Sequence, residues 1–313
     1  MPQSGEPKNK TIGLISPGDM GHVVGGVLTA KGHRVLTVLT GRSDLSRERA
    51  ARAGMQDVGS LENLVAESEV ILSIMPPENA LMFARDTVAA MAAVGEMPVF
   101  VDCNAISPAT TRAIDALLET VGAPFLKIGI IGPPPRPGVE TRFYASGPGL
   151  KQIEFLDGNG ISFRPMGDDI MRAAAIKMCY AGLTKGKMTL HTAVLLAGEM
   201  LGVGDELQAE LASSQQADWE LMTARVPFYA CDAGRWAGEM DEISQTFGSV
   251  GVTPNLHRGA AEVFRFLDST PLSAETRETA DRSRTLDLTL DIYAQALKQR
   301  NAASQGKKGK AGS

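Results

Sequence analysis

The chain has 313 residues, 43% hydrophobic and 21% charged, with a formal net charge of -5; this is the balance of an ordinary globular protein large enough for two domains. No uninterrupted apolar run approaches the roughly 18 residues of a membrane span, and MPQSGEPKNK has no signal-peptide apolar core, so a cytoplasmic protein without a membrane partner is expected. No basic block lies inside the folded region, which argues against a nucleic-acid partner, and three widely separated cysteines, Cys103, Cys179 and Cys231, suggest neither a disulfide framework nor a metal site.

In chain order, residues 1–10 are polar and are expected to be disordered. TIGLIS (11–16) is a short apolar strand, and DMGHVVGGVLTA then has helical character. HRVLTVLT (33–40) is rich in β-branched residues, and DLSRERAARAG is a helix stopped at Gly54. EVILSIMPP (69–77) is a strand halted by two prolines, followed by the helix ENALMFARDTVAAMAAV. PVFVDCN (98–104) is another strand, and Ser107-Pro108 opens the next helix as an N-cap with proline in the first helical position. Strands separated by helices of this length predict βαβ units and a doubly wound, Rossmann-type α/β domain over 11–167. After PFLKIGIIG and TRFYASG the strand signals fade. A long run of helix formers, from about Asp168 to Leu201, leads into an all-helical C-terminal domain over 168–300, with breaks near Gly202–Gly204, Pro227, Gly251–Pro254 and Pro271. The Gly- and Lys-containing tail 301–313 is expected to be disordered.

The turn after the first strand reads S-P-G-D-M-G. A dinucleotide-binding turn must bend sharply, let the backbone approach a diphosphate, and launch a helix whose N–H groups face the anion. Gly18 and Gly21 fill the second and third glycine positions; Ser16 stands at the first and is tolerable there with a negative φ. Pro17 stiffens the turn, Asp19 is placed to cap the helix, and Ser16 to Met20 together form the expected pyrophosphate loop. The second strand ends in Thr40-Gly41-Arg42-Ser43, with no acidic residue before Asp44. Arg42, with Thr40 and Ser43, therefore suits a ribose 2′-phosphate, which favours NADP(H) over NAD(H).

These pieces resemble the β-hydroxyacid dehydrogenases, relatives of 6-phosphogluconate dehydrogenase, over residues 11 to about 201. The family opening G-x-I-G-x-G-x-M-G is matched by Gly13, Gly18, Met20 and Gly21, and the MLP loop by Met75-Pro76. The D-x-S-T-x-x-P segment is matched in part by Asp102 to Pro108. The resemblance implies that Met75, Pro76 and Asn104 border the nicotinamide. It also implies a substrate in a cleft between domains, and a homodimer built by the helical domain. The family's substrate loop resembles D-A-P-V-S-G-G; here it is KIGIIGPPPRPG, with Ile131 in place of the serine and Gly132 retained ahead of Pro133. The C-terminal pattern around RWAGEMDEI and GVTPNLHRGAAEVF resembles a divergent branch of the superfamily.

The family's lysine is similar to Lys177 in AAAIKMCYAGLTKG, which implies a general acid/base. Such a lysine works when desolvation brings its pKa toward neutrality, and the neighbouring alanines and Ile176 suit a packed helix. The asparagine four residues later in the family is Ala181 here, so Tyr180 or Thr184 is expected to supply the missing hydrogen bond. At 100° per residue, Thr184, Met188 and His191 fall within about 40° of Lys177. Cys179 is expected to be packed rather than nucleophilic. Candidate substrate contacts are Gly132, Pro133, Arg142 (a carboxylate anchor or a surface residue), Lys185 and Trp236 (a contact or core). No metal is implied. The resulting expectation is an NADP(H)-dependent oxidoreductase acting on a small hydroxy acid or its oxo counterpart. A reductase of imines or other carbonyls, and a non-catalytic NADPH sensor, stay open.

Overall fold

The computed structural model describes residues 9–310, side chains to 303, and these divide into two compact units between Tyr180 and Ala181. The first unit is built on an eight-stranded sheet of order β3-β2-β1-β4-β5-β6-β7-β8. Its strands are β1 (Thr11–Ile15), β2 (Arg34–Thr37), β3 (Gln56–Asp57), β4 (Val70–Ser73), β5 (Val99–Asp102), β6 (Phe125–Ile131), β7 (Thr141–Ser146) and β8 (Ile161–Pro165). All neighbours run parallel except β6 and β7. The helices between them are α1 (Gly21–Ala30), α2 (Asp44–Arg52), α3 (Leu61–Glu67), α4 (Pro77–Val94) and α5 (Pro108–Glu119). This is the doubly wound arrangement, and the strand order reverses between β1 and β4.

The centre of the sheet is buried on both faces, and β1, β4 and β5 are accordingly near-continuous apolar runs rather than alternating ones. Ile12, Leu14, Val70, Leu72, Val101 and Leu126 enter one core with Val24 and Leu28 of α1. Leu36, Ile71, Phe100 and Phe125 enter the other with Ala84 and Met91 of α4 and Ile114 of α5. The capping expected at Ser107-Pro108 is present: the Ser107 hydroxyl accepts from the Thr110 N–H at 3.2 Å. Gly54 takes φ +67° just past α2. The sequence reading placed no element at α3, β3 or β8; α3 is seven residues long and β3 two, while β8 carries Arg164 and Pro165 and gains its identity from pairing with β7.

Helix α6 (Met171–Leu201) starts in the first unit and continues into the second. Its start is fixed locally, since the Asp169 carboxylate accepts from the Met171 N–H at 2.9 Å and the Ser146 hydroxyl accepts from the Ala173 N–H at 3.1 Å. The first compact unit thus reaches Tyr180, further than the expected boundary at 167.

The second unit is all-helical: α7 (Gly204–Ser214), α8 (Gln216–Arg225), α9 (Ala233–Ser249), α10 (Asn255–Asp268) and α11 (Leu286–Lys310), with short 3-10 turns at Val226–Asp232 and Pro271–Ala274. Its core gathers Val226, Met240, Ile243, Phe264, Leu267 and Tyr293. The backbone of 301–310 continues α11, where a disordered tail was expected from residue 301; Ala302, Ala303 and Gln305 are good helix formers. Residues 1–8 and 311–313, the rest of the two segments expected to be disordered, lie outside the described residues, whereas Asn9 lies beside Gly32 and Lys10 bonds to His33 and Glu69. Among the described residues no helix is long and apolar enough to cross a membrane.

Candidate nucleotide-binding and catalytic site

The carboxyl ends of β1, β2, β4, β5 and β6 lead into most of the candidate residues of the first unit, at the end of the sheet where doubly wound folds bind ligands; Arg142 lies on β7, and Lys177 and Tyr180 on α6. After β1 the chain turns at Ser16 with φ +73°. This corrects the expectation of a negative φ: the serine occupies the left-handed region that the family's glycine adopts without cost. Gly21 is obligatory, because a Cβ there would lie 2.1 Å from the Ser16 carbonyl oxygen. At Gly18 a Cβ would meet only the Ser16 hydroxyl, at 4.0 Å, so the outer side of the turn has room for a close ligand.

Asp19 does not cap α1. Its carboxylate pairs with the buried Arg49 of α2 at 2.6 Å, and no side chain caps the helix, whose N-cap residue is Met20. No side chain competes for the first-turn N–H groups of α1, of which that of His22 donates to the Gly18 carbonyl at 3.1 Å; an uncapped helix N-terminus of this kind suits an anion. Together with the open side of Gly18, this turn fits the diphosphate of a dinucleotide. His22, which the sequence reading passed over, holds the loop from inside: its Nδ1 lies 2.6 Å from the Gly18 carbonyl oxygen.

After β2, the Thr40 hydroxyl donates to the Gly59 carbonyl at 2.8 Å and the Ser43 hydroxyl accepts from the Ser46 N–H as the cap of α2. Arg42 is exposed, and its guanidinium has no hydrogen bond or ion pair among the described residues. Of the three candidate 2′-phosphate ligands, Arg42 thus has its full donor set uncommitted.

The turns after β4 and β5 are joined. The Met75 N–H donates to Asn104 Oδ1 at 2.6 Å, and Asn104 Nδ2 donates to Ser73 Oγ at 2.9 Å and Asp102 Oδ2 at 2.6 Å. Pro76 follows directly as the N-cap of α4. Asn104 is 3% exposed, so its amide serves as an internal clamp at this edge of the site. Burial, and secondarily Asp102, push the Cys103 thiol far above the usual cysteine range, which removes it as a nucleophile.

Lys177, on α6, donates from Nζ to the Ile130 carbonyl at 2.8 Å. The approach depends on Gly129, where a Cβ would stand 2.5 Å from the Ala173 carbonyl oxygen and 3.0 Å from Lys177 Cβ. The ammonium is thereby held at the carboxyl end of β6, beside Gly132 (φ +122°) and Pro133, whose carbonyl accepts from Thr141 Oγ1 at 2.6 Å. Ile131 is 3% exposed, so its position brings no polar side chain to the site. Arg142 lies on β7 opposite Ile131 and is half-buried. Tyr180 is 44% exposed at the end of this unit, and Cys179 is exposed rather than packed.

Thr184, Lys185 and Trp236 belong to the second unit. The Thr184 hydroxyl donates to the Ala181 carbonyl at 3.3 Å. Lys185 was expected to reach substrate, yet its ammonium pairs with the buried Glu239 at 2.6 Å, an arrangement that already balances its charge. Trp236 is half-buried and packs between Tyr229 and Phe264, at 6.1 and 5.3 Å between ring centroids. Among the described residues no group of three or more His, Cys, Asp or Glu side chains is arranged to hold a metal ion.

The comparisons agree with this geometry. Residues 11–137 match the NAD-binding domain of 6-phosphogluconate dehydrogenase, and residues 199–267 match a domain of unknown function. The first unit thus carries, over residues 11–137, a match to an NAD-binding domain of the 6-phosphogluconate dehydrogenase type, and the helical region carries a separate family match over residues 199–267. An uncharacterized 28.5 kDa protein of Methanothermus fervidus is 23% identical, over 82% of this chain and 98% of that protein. A solved conserved protein of unknown function, described as similar in structure to 3-hydroxyacid dehydrogenases, is 28% identical with a TM-score of 0.59, covering 82% of this chain and 96% of that one. The 3-hydroxyisobutyrate dehydrogenase of Mycobacterium tuberculosis shares the fold at 19% identity and a TM-score of 0.62, covering 90% and 98%.

Proposed function

We propose that the protein is an NADP(H)-dependent oxidoreductase that interconverts a small hydroxy acid and its oxo counterpart, with Lys177 as general acid/base. The observation that carries this reading is the Lys177 ammonium, held 2.8 Å from the Ile130 carbonyl at the same end of the sheet as the glycine turn after β1. When bound, the nicotinamide supplies or accepts the hydride. The chain supplies the remainder. The Ser16–Met20 turn and the uncapped start of α1 bind the diphosphate, Arg42 holds the 2′-phosphate, and the clamped Met75–Pro76 turn shapes the nicotinamide side. Lys177 gives a proton to the substrate oxygen during reduction and takes it back during oxidation; the Ile130 carbonyl orients its Nζ. Arg142 is the candidate anchor for a substrate carboxylate, and Tyr180 or Thr184 the candidate partner of the lysine. The reading also carries a homodimer and a cytoplasmic location as proposals.

A second reading, reduction of imines or other carbonyls, is favoured by the buried apolar residues Ile131 and Ala181, which stand where the related dehydrogenases carry serine and asparagine. A fluorescence titration with NADPH and NADH, followed by a panel of hydroxy acids, oxo acids and cyclic imines, separates the two readings. Arg42→Ala is expected to lower NADPH affinity about tenfold, as loss of a charge-assisted hydrogen bond does, while leaving NADH unaffected. Lys177→Ala is expected to lower turnover on the order of a hundredfold or more while nucleotide binding persists. Near-wild-type turnover in that variant removes Lys177 from the mechanism, and NADPH binding with no turnover on any substrate points to a sensor.

A further inference from the structure

A polar row crosses the sheet at its carboxyl end. The register aligns Ser73 of β4 with Asp102 of β5, Asp102 with Lys127 of β6, and Lys127 with Ser146 of β7. Side chains two residues apart on a strand share a face, so one step back lie Ile71, Phe100 and Phe125, all in the apolar core. Within the row, Lys127 and Asp102 are both fully buried and their ammonium and carboxylate are 2.6 Å apart. The family loop begins with an aspartate where this chain has Lys127, so the pair belongs to this chain's own sequence.

Stability alone does not account for such a pair. Removing two charges from water costs more than their attraction readily returns, and apolar residues of similar volume usually serve a core as well or better. What the pair does that two apolar side chains would not do is fix an orientation. Asp102 Oδ1 accepts from Lys127 and Oδ2 accepts from Asn104 Nδ2. Lys127 Nζ donates as well to the Asn104 backbone carbonyl at 2.7 Å. Asn104 is held by both its side chain and its backbone, and its Oδ1 is left aimed at the Met75 N–H. The turn that starts α4 is thus set by a lysine two strands away.

We propose that Lys127, acting through Asp102 and Asn104, is a positioning residue for the nicotinamide half of the nucleotide. In doubly wound folds each half of the sheet receives one half of a dinucleotide; β1 and β2 carry the diphosphate turn and Arg42, while the Lys127 row governs the turns after β4 and β5. The inference rests on the nucleotide reading given above, and it predicts an effect confined to one end of the ligand.

The test compares NADPH with adenosine 2′,5′-bisphosphate, which keeps the adenosine, its 2′-phosphate and the adjoining 5′-phosphate and lacks the second phosphate and the nicotinamide riboside. Lys127→Met alone strands a buried carboxylate and endangers folding, so the informative variants are Lys127→Met/Asp102→Leu, which restores an apolar pair, and Ser73→Ala, which deletes one acceptor of the Asn104 amide. The double variant is expected to bind the bisphosphate as wild type does and NADPH about tenfold more weakly, with altered fluorescence of the bound nicotinamide. Ser73→Ala is expected to shift the same ratio by about twofold to threefold. Unchanged affinity for both ligands, or parallel weakening of both, overturns the positioning role. Wild-type protein that binds neither ligand instead overturns the nucleotide reading, and this inference with it.

Discussion

Gly129 and Ala173 approach so closely that the helix carrying Lys177 lies against β6 with no space for a side chain between them: a methyl group on Gly129 would stand 2.5 Å from the Ala173 carbonyl oxygen. Since a backbone atom is the obstacle, α6 itself must shift to admit one. Gly129→Ala is expected to cost about 1–3 kcal/mol, the usual range for overpacking, and to displace the lysine one turn further along. A lowered urea midpoint together with a turnover loss greater than the NADPH affinity loss checks this. A variant as stable and active as wild type would show that the contact does not place the lysine.

Ser16 stands in the left-handed region at φ +73°, where a residue with a Cβ loses roughly 1–2 kcal/mol relative to glycine. Glycine recovers this but adds about 0.4–1 kcal/mol of unfolded-chain entropy. Ser16→Gly is therefore expected to be neutral or slightly stabilising, and Ser16→Val clearly destabilising because β-branched residues tolerate this region least. Thermal unfolding of the pair gives the order; a valine variant as stable as the glycine variant contradicts the strain.

The three cysteines should react in a set order. Cys179 is exposed, whereas burial raises both Cys231, helped by Glu275 and Asp232, and Cys103. Only the thiolate attacks a disulfide reagent. At neutral pH one thiol per chain is expected to react rapidly, with the assignment lost in Cys179→Ser, and Cys103 only on unfolding. Fast labelling of Cys103 in the native protein would contradict its burial.

Three histidines tie stability to pH. Burial lowers the pKa of His33, aided by Lys31 and Lys10; burial also lowers His191 and His257 against the opposing Asp218 carboxylate and Gly182 carbonyl. A lowered pKa means that the unfolded chain binds the proton more readily than the folded one. Stability is then fully present above the unfolded value of about 6.5 and falls as pH drops through it toward the lowered folded values. The melting temperature is expected to decline between pH 7 and 5.5, with a shallower decline in His257→Asn. A flat profile in wild type would count against all three.

The parts of the molecule legible in the sequence are those with local causes. The βα alternation, the Ser107-Pro108 cap and the glycine turn each lie within a few residues of their own signal. Arg49 and Asp19 are thirty residues apart, and Lys127 and Asp102 twenty-five, so their pairings emerge only once the strands are in register. Lys127 in FLKIGII looks like a solvated charge on an edge, and only the pairing of β6 with β5 on one side and β7 on the other shows it to be enclosed. The ion pair of Lys185 was hidden for the same reason: its partner, Glu239, lies three helices further along the chain, on α9.

The Asp19–Arg49 pair has a consequence for redesign. Work aimed at changing which dinucleotide is accepted would naturally exchange the whole segment from Thr40 through α2, since that segment carries Arg42, the residue proposed to hold a 2′-phosphate. Doing so would cut the tether by which α2 steadies the diphosphate turn. The sound graft ends at Ser43, keeps Arg49 and treats the two loops as one mechanical part with a small exchangeable tip.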